Sequence, residues 1–210
     1  MKPMLILLRH GETEWNATSR LMSRTDLPLS EVGRSQARKA ADLSIGVPIN
    51  RVITSPLLRA KQTADLFLKA HALGEAEVDV RLRELDFGEF EGMTGNQIRS
   101  SRLSDQYINW QNGLSGGVAN AEPMSAGAAR GSSFLREIKG FNQTTLVVTH
   151  GYLIRLMLAA EVLGMRESYV RALRIDNCRF ATLEVEEGRW RLTSFNVKDV
   201  SGIQDDKPTS

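Results

Sequence analysis

Met4-Leu5-Ile6-Leu7-Leu8 is apolar at every position and stops at Arg9-His10-Gly11. A strand with one wet face alternates polar and apolar residues, so an unbroken short run reads as a strand covered on both sides. Such a strand needs a layer of structure above and below its sheet. Behind Ser30, a residue type favoured at N-caps, Val32, Ala37, Ala40, Ala41 and Leu43 recur at helical spacing, which predicts a helix from Ser30 to Leu43. Arg51 to Thr54 reads as a second short strand closed by Ser55-Pro56, and Leu57 to Ala70 as a helix with Leu58, Ala64 and Leu68 in its apolar stripe. Strand then helix, twice over, is the opening of an α/β domain.

Val78 to Val80 is a weak third strand, and Leu82 to Gly92 reads as loop, with charges and glycines around few apolar residues. Thr94-Gly95-Asn96-Gln97 has capping-box spacing, so a helix is expected to start there. From about Glu89 to Arg136 the pattern is irregular, interrupted by Gly113, Gly116, Gly117, Gly127 and Gly131, which suggests a helical insertion or lid. Thr145 to Thr149 is again a buried strand, and His150-Gly151 leads into an apolar helix from Tyr152 to Leu163. Cys178 to Glu186 and Arg189 to Phe195 alternate around Glu187-Gly188, a hairpin at a sheet edge, and the polar residues 201–210 are expected to fray.

With 210 residues, the chain holds roughly 1.4 domains of ~150 residues, so one domain with an insertion is expected rather than two cores. Lys and Arg number 27 against 25 Asp and Glu, and this excess of +2 argues for neither a nucleic-acid nor a membrane partner. The single Cys178 cannot form an intramolecular disulfide or a cysteine-built metal site, and fits a reducing compartment. The apolar run ending at Leu8 is shorter than the ~7–15 residues of a signal-peptide core, and no stretch approaches the ~18 of a membrane span. A soluble cytoplasmic protein is the expectation.

Unusual side chains gather where strands end: Arg9-His10-Gly11 after the first, Arg59 just past the second, and His150-Gly151 after Thr149. Open α/β sheets bind ligands at the carboxyl ends of their strands, so these groups are expected to share a pocket. Two histidines, two arginines and a helix N-terminus suit a dianion such as phosphate and suit a metal cation poorly.

Arg9-His10-Gly11-Glu12-Thr13-Glu14-Trp15-Asn16 resembles the signature of the histidine phosphatase superfamily, which includes phosphoglycerate mutases and many small phosphatases. Further blocks look like that family in the expected order: Asp26-Leu27-Pro28-Leu29-Ser30 with Gly33 and Gln36-Ala37, then Ser55-Pro56-Leu57 with Arg59-Ala60 and Gln62-Thr63-Ala64. Leu82 to Gly88 with Glu91-Gly92, and Val148-Thr149-His150-Gly151, complete the series over roughly residues 4 to 200. The resemblance implies a three-layer α/β sandwich: a mostly parallel sheet, helices on both faces, and a lid insertion at about 89–136 within a single domain over residues 1–210.

It also implies phosphoryl transfer through phosphohistidine. A neutral imidazole is nucleophilic near pH 7, and His10 could attack phosphorus if its other ring nitrogen donates to a carbonyl. Arg9 and Arg59 would bind phosphoryl oxygens through their forked donors, with His150 as a further ligand and Asn16 as a neutral donor. Glu84 is placed by the resemblance beside the leaving oxygen, as general acid and then as base for water. Substrate contacts from Ser23 and Gly151 complete the expected set. Ser23 stands where the family commonly has glycine, and Pro123-Met124-Ser125-Ala126-Gly127 replaces a usual Gly-Glu-Ser segment.

The leading expectation is a phosphatase for small phosphorylated metabolites that needs no metal or cofactor and works as a monomer or homodimer. A mutase is the alternative, but Arg99, Arg102 and Arg130 in the insertion form no adjacent pair of the kind mutases use. A zinc hydrolase on His10, Glu12 and His150 would suffer repulsion from Arg9, and a catalytically dead binding module sits poorly with the intact set. Asp86, Glu89 and Glu91 read as solvated loop, His71 as an exposed surface histidine, Cys178 as a buried strand residue, and Tyr107 and Trp110 as lid packing.

Overall fold

The computed structural model describes residues 2–114 and 120–201, so Gly116, Gly117 and the tail beyond Ser201 lie outside the described residues. β1 (Leu5–Arg9) is the double-faced strand expected of its sequence, with Ile6, Leu7 and Leu8 at 0% exposure. Each such Ile or Leu contributes about 1.5–3 kcal/mol relative to an exposed position. β1 is followed by α1 (Glu14–Ala17), α2 (Glu31–Leu43), β2 (Arg51–Thr54), α3 (Leu58–Ala70) and β3 (Glu77–Val78). Then come α4 (Gly95–Arg99), α5 (Ser104–Gln111), α6 (Met124–Ile138), β4 (Thr145–Thr149), α7 (Gly151–Met157), β5 (Phe180–Glu186) and β6 (Arg189–Val197).

The sheet order is β3-β2-β4-β1-β5-β6, parallel from β3 to β1 and antiparallel over the β5–β6 hairpin. Ile6, Leu8, Val52 and Val148 pack on one face against Ala37, Ala41, Ala60 and Phe67 of α2 and α3. Leu5, Leu7, Ile53 and Val147 pack on the other against Phe134 and Leu135 of α6 and Leu153 and Met157 of α7. The result is a three-layer sandwich with a mostly parallel sheet. Among the described residues no helix is long and apolar enough to cross a membrane.

Local chemistry explains most boundaries. Ser30 Oγ accepts the Gly33 N–H at 3.0 Å at the start of α2, and Thr94 and Gln97 form the reciprocal capping box that starts α4. Glu187 and Gly188 both have positive φ, 50° and 73°, as a tight hairpin turn requires.

Several expectations change. The third strand, expected at Val78 to Val80, lies instead at Glu77–Val78, because the Asp79 carboxylate accepts the Arg81 N–H at 2.8 Å and tightens Val80–Leu82 into a 3-10 turn. The helix expected from Tyr152 to Leu163 is α-helical only to Met157 and continues as a π-helical turn over Leu158–Val162. Cys178 is buried but sits in a turn with φ 51°, ahead of β5.

The largest difference is α6. Gly127 and Gly131, read as interruptions, are interior to a 15-residue helix, and a Cβ at Gly131 would lie 2.5 Å from Met157 Cγ. These glycines are where α6 meets α7, so α6 is part of the body's outer layer. Between the two, Leu85, Phe87, Phe90, Ile98, Tyr107 and Trp110 join Met124 and Leu156 in a third apolar cluster. The loop from Leu82 to Gly92 is therefore fastened by its few apolar side chains.

Candidate active site

Because β1 and β4 are parallel neighbours with Arg9 opposite Thr149, the next residues, His10 and His150, emerge side by side. Their ring centroids are 5.0 Å apart. β2 lies on the other side of β4, and the helix that follows it brings Arg59 from its first turn. His10, His150 and Arg59 are 3%, 0% and 0% exposed. The loop after β1 is fixed by close backbone packing: Ser30 N–H donates to the Glu12 carbonyl at 2.9 Å, and a Cβ at Gly33 would sit 2.0 Å from that oxygen.

His10 Nδ1 is 2.7 Å from the Gly11 carbonyl, which can only accept, so Nδ1 carries the proton and Nε2 keeps its lone pair. Burial, reinforced by Arg59 and Arg9, holds the His10 imidazole well below its ordinary pKa, against an upward pull from the Gly11 carbonyl. His150 is likewise held well down, by burial first and then by Arg59, His10, Arg130 and Arg9. Its Nε2 pairs with Ser55 Oγ at 2.7 Å.

Arg9 Nη1 donates to the Ile175 carbonyl at 2.7 Å, and burial lowers its pKa. Arg59 donates from Nη1 to the Thr25 carbonyl and from Nη2 to the Ser23 carbonyl, each at 3.2 Å. Burial brings Arg59 down to about 10, with Glu84, Asp26 and Glu91 pulling the other way, so it stays charged at neutral pH. Among the described residues, the buried side-chain nitrogens without a hydrogen-bond partner are Arg9 Nε, Arg59 Nε and His150 Nδ1. An unsatisfied buried polar group costs about 1–3 kcal/mol, which makes these three nitrogens the candidate anchor points for a ligand.

Glu84 lies across the start of α7. Its Oε1 accepts the N–H groups of Leu85 and Leu153 and its Oε2 that of Tyr152, each at 3.1 Å. The chain on either side is clamped by Arg130, which donates to the carbonyls of Arg81 and Arg83 at 2.6 Å and pairs with Glu122. Glu122 Oε2 in turn accepts the Asp86 N–H at 3.2 Å.

Asn16 Oδ1 accepts from Thr13 N–H and Asn177 Nδ2, both at 3.2 Å, which leaves the Asn16 amide nitrogen as the free end in the cleft. Ser23 is 2% exposed, and its hydroxyl donates to Glu91 rather than standing free for a ligand. A Cβ at Gly151 would lie 3.2 Å from Arg9 Nε, so the start of α7 closes over that guanidinium.

Glu91 is not a solvated loop residue: its carboxylate takes donors from Ser23, Arg24 and Thr25. Asp86 is ion-paired to Arg24 with a side chain 16% exposed, and Glu89 alone of the three is open. His71 is half-buried, with Nε2 2.9 Å from Ser44 Oγ. Tyr107 and Trp110 are buried at 6% and 3%, and the indole N–H donates to the Glu122 carbonyl.

The cleft above His10 has a volume of about 510 Å³, within the 300–1,000 Å³ of small-molecule sites. Besides Arg9, His10, Asn16 and Glu84, its walls include Tyr152, Arg155, Arg171 and Asn177. A second cleft of about 580 Å³, lined by Ser23, Arg24, Arg83 and Arg130, adjoins it, and Glu84 lines both. Sequence reasoning overlooked Arg155, although it stands four residues after Gly151, at the spacing that shares a helix face. Asn177 Nδ2 donates to the His10 carbonyl at 3.0 Å and Thr63 Oγ1 accepts the Gly11 N–H at 3.1 Å, contacts no local pattern announces.

The sequence matches the family model of the histidine phosphatase superfamily (branch 1) over residues 5–198. It is 32% identical to a probable phosphoglycerate mutase GpmB of Erwinia tasmaniensis, over 95% of this chain and 94% of that one. A mycobacterial glucosyl-3-phosphoglycerate phosphatase solved with VO3 is similar at TM-score 0.81 and 31% identity, covering 92% of this chain and 98% of that one. Phosphoserine phosphatase of Entamoeba histolytica, in complex with 3-phosphoglyceric acid, is similar at TM-score 0.83 and 27% identity, over 93% and 97%. With its strand order, its paired histidines and this match along nearly its whole length, the chain belongs to the histidine phosphatase superfamily, branch 1.

Proposed function

We propose that the protein hydrolyses phosphate monoesters of small metabolites through a phosphohistidine at His10, within one catalytic domain. The observation that carries this reading is the gathering of three unpartnered buried nitrogens, the guanidinium donors Arg9 Nε and Arg59 Nε and the ring nitrogen His150 Nδ1, near an imidazole whose free nitrogen is fixed by the Gly11 carbonyl. In the first step the Nε2 lone pair forms the N–P bond as the bond from phosphorus to the ester oxygen breaks. Arg9, Arg59 and His150 hold the non-bridging oxygens and offset their charge. Glu84 gives a proton to the leaving alkoxide, then as carboxylate takes one from the water that attacks phosphorus and restores His10. Asn16 adds a neutral donor, and Ser23 and Gly151 act through the arginines they pack against. The lone buried Cys178 fits a reducing, cytoplasmic setting.

Hydrolysis of p-nitrophenyl phosphate, with His10→Ala as control, tests the reading. The variant is expected to lose activity on the order of 10³-fold or more, and equal rates would remove His10 from the chemistry.

Phosphoglycerate mutase activity is the second reading, and one observation favours it. Arg155 and Arg171 line the cleft from the C-terminal half of the chain and could hold a carboxylate. Against it, of the insertion's own bases Arg99 and Arg102 line neither cleft and Arg130 is paired with Glu122. Interconversion of 2- and 3-phosphoglycerate faster than phosphate release would decide for the mutase.

A further inference from the structure

Arg59 is a fully buried cation whose nearest carboxylate oxygen, Asp26 Oδ1, is 4.0 Å away. What holds its two terminal nitrogens is backbone: the carbonyls of Ser23 and Thr25, each at 3.2 Å. A loop of three residues has no intrinsic reason to present two carbonyls to one guanidinium, so something must set its conformation. Glu91 does so from the opposite side. Its Oε1 accepts the N–H of Ser23 at 3.1 Å and of Thr25 at 2.7 Å, while its Oε2 accepts the Arg24 N–H at 3.2 Å and the Ser23 hydroxyl at 2.5 Å. Three successive backbone N–H groups point to one carboxylate and two carbonyls of the same residues to one guanidinium.

The Ser23 hydroxyl also accepts the Phe87 N–H at 3.2 Å, which ties the loop to the segment carrying Glu84. Serine at position 23 thus adds a donor to the Glu91 cluster. The hydrogen bonds of Ser23 and Thr25 hold the Glu91 carboxyl below its ordinary pKa despite burial, so it is an anion when it gathers these donors.

We propose that Glu91 is a positioning residue for Arg59: it folds residues 23–25 so that their carbonyls fix the guanidinium and leave its Nε aimed at the phosphoryl group. This rests on the reading of Arg59 as a phosphate ligand. Glu91 itself touches no reacting atom.

The test is a double-mutant cycle on the full chain with Glu91→Gln and Arg59→Met, reading KM and kcat for p-nitrophenyl phosphate and the inhibition constant of inorganic phosphate. A glutamine amide turns two N–H groups toward backbone donors, so the loop must shift. The inhibition constant and KM are expected to rise about tenfold or more, the effect of losing one or two charge-assisted hydrogen bonds. The double variant is expected to match Arg59→Met alone within about twofold, since both changes remove one interaction. Effects that multiply, or an unchanged phosphate constant in Glu91→Gln, overturn the proposal. A general loss of loop stability lowers Tm without producing that non-additivity.

If Glu91→Gln does not fold, Ser23→Ala removes one donor only and is expected to raise the phosphate constant by a few-fold, again without adding to Arg59→Met. An unchanged constant there is the contrary result. Should Arg59→Met itself leave phosphate affinity untouched, the ligand reading of Arg59 fails. A ligand-free measurement still decides the role of Glu91: slowly exchanging Arg59 Nη–H resonances in the wild type, expected to collapse in Glu91→Gln and to persist if Glu91 does not position the guanidinium.

Discussion

The imidazoles of His10 and His150 stand 5.0 Å apart at an interplanar angle of 61°, both held neutral by burial and by the arginines around them. Their folded pKa values lie below the unfolded value of ~6.5, so below that pH the unfolded chain binds protons that the folded chain does not. Stability contributed by these neutral rings is present above about pH 6.5 and is lost as pH falls beneath it. Chemical denaturation between pH 7.5 and 5 is expected to show this decline, with a shallower slope in His150→Gln. A flat profile over that window would mean that the rings titrate normally.

Glu84 is expected to matter in proportion to the leaving group. Glu84→Gln should slow alkyl phosphates about 10²-fold or more but p-nitrophenyl phosphate far less, because nitrophenolate departs without a proton. An equal loss on both esters would remove the general-acid role and leave Glu84 as a cap on α7 through Tyr152 and Leu153.

Arg59 separates stability from activity. Removing its buried charge, which has no carboxylate closer than 4.0 Å, offsets the loss of its bonds to the Ser23 and Thr25 carbonyls, so Arg59→Met is expected to change Tm little. Phosphatase kcat/KM should fall on the order of 10²-fold or more. Full activity in that variant, or a fall in Tm without loss of activity, would contradict the assigned role.

Gly33 carries a stability prediction. A methyl there would meet the Glu12 carbonyl oxygen at 2.0 Å and the Glu12 nitrogen at 2.7 Å, backbone atoms rather than a flexible side chain that could yield. Gly33→Ala is expected to cost more than about 2 kcal/mol, a drop in Tm of roughly 4–8 °C. It should also lower activity, since the displaced loop begins at His10. Unchanged melting would show that α2 can slide away from the loop.

Local pattern revealed what local physics decides. The apolar runs of β1 and β4, the Ser30 cap and the Thr94–Gln97 box were legible because each depends on residues within a turn or strand of one another. Arg9, His10, Arg59 and His150 were legible because adjacent parallel strands carry their ends to one place. Glu91 was not, since its donors lie 66–68 residues away and bond mostly through backbone, which any side chain there would offer. The start of α6 was hidden because Gly127 and Gly131 weaken a helix in isolation and serve instead as contacts with Leu85, Leu156 and Met157.

Trapping the intermediate tests the nucleophile most directly. The protein mixed with p-nitrophenyl phosphate and quenched in alkali within milliseconds, then digested and sequenced by mass spectrometry, should carry one phosphoryl group on His10, absent from His10→Ala. Turnover of the wild type with no phosphoryl group on His10, or with the group on His150 or another side chain, would contradict the account.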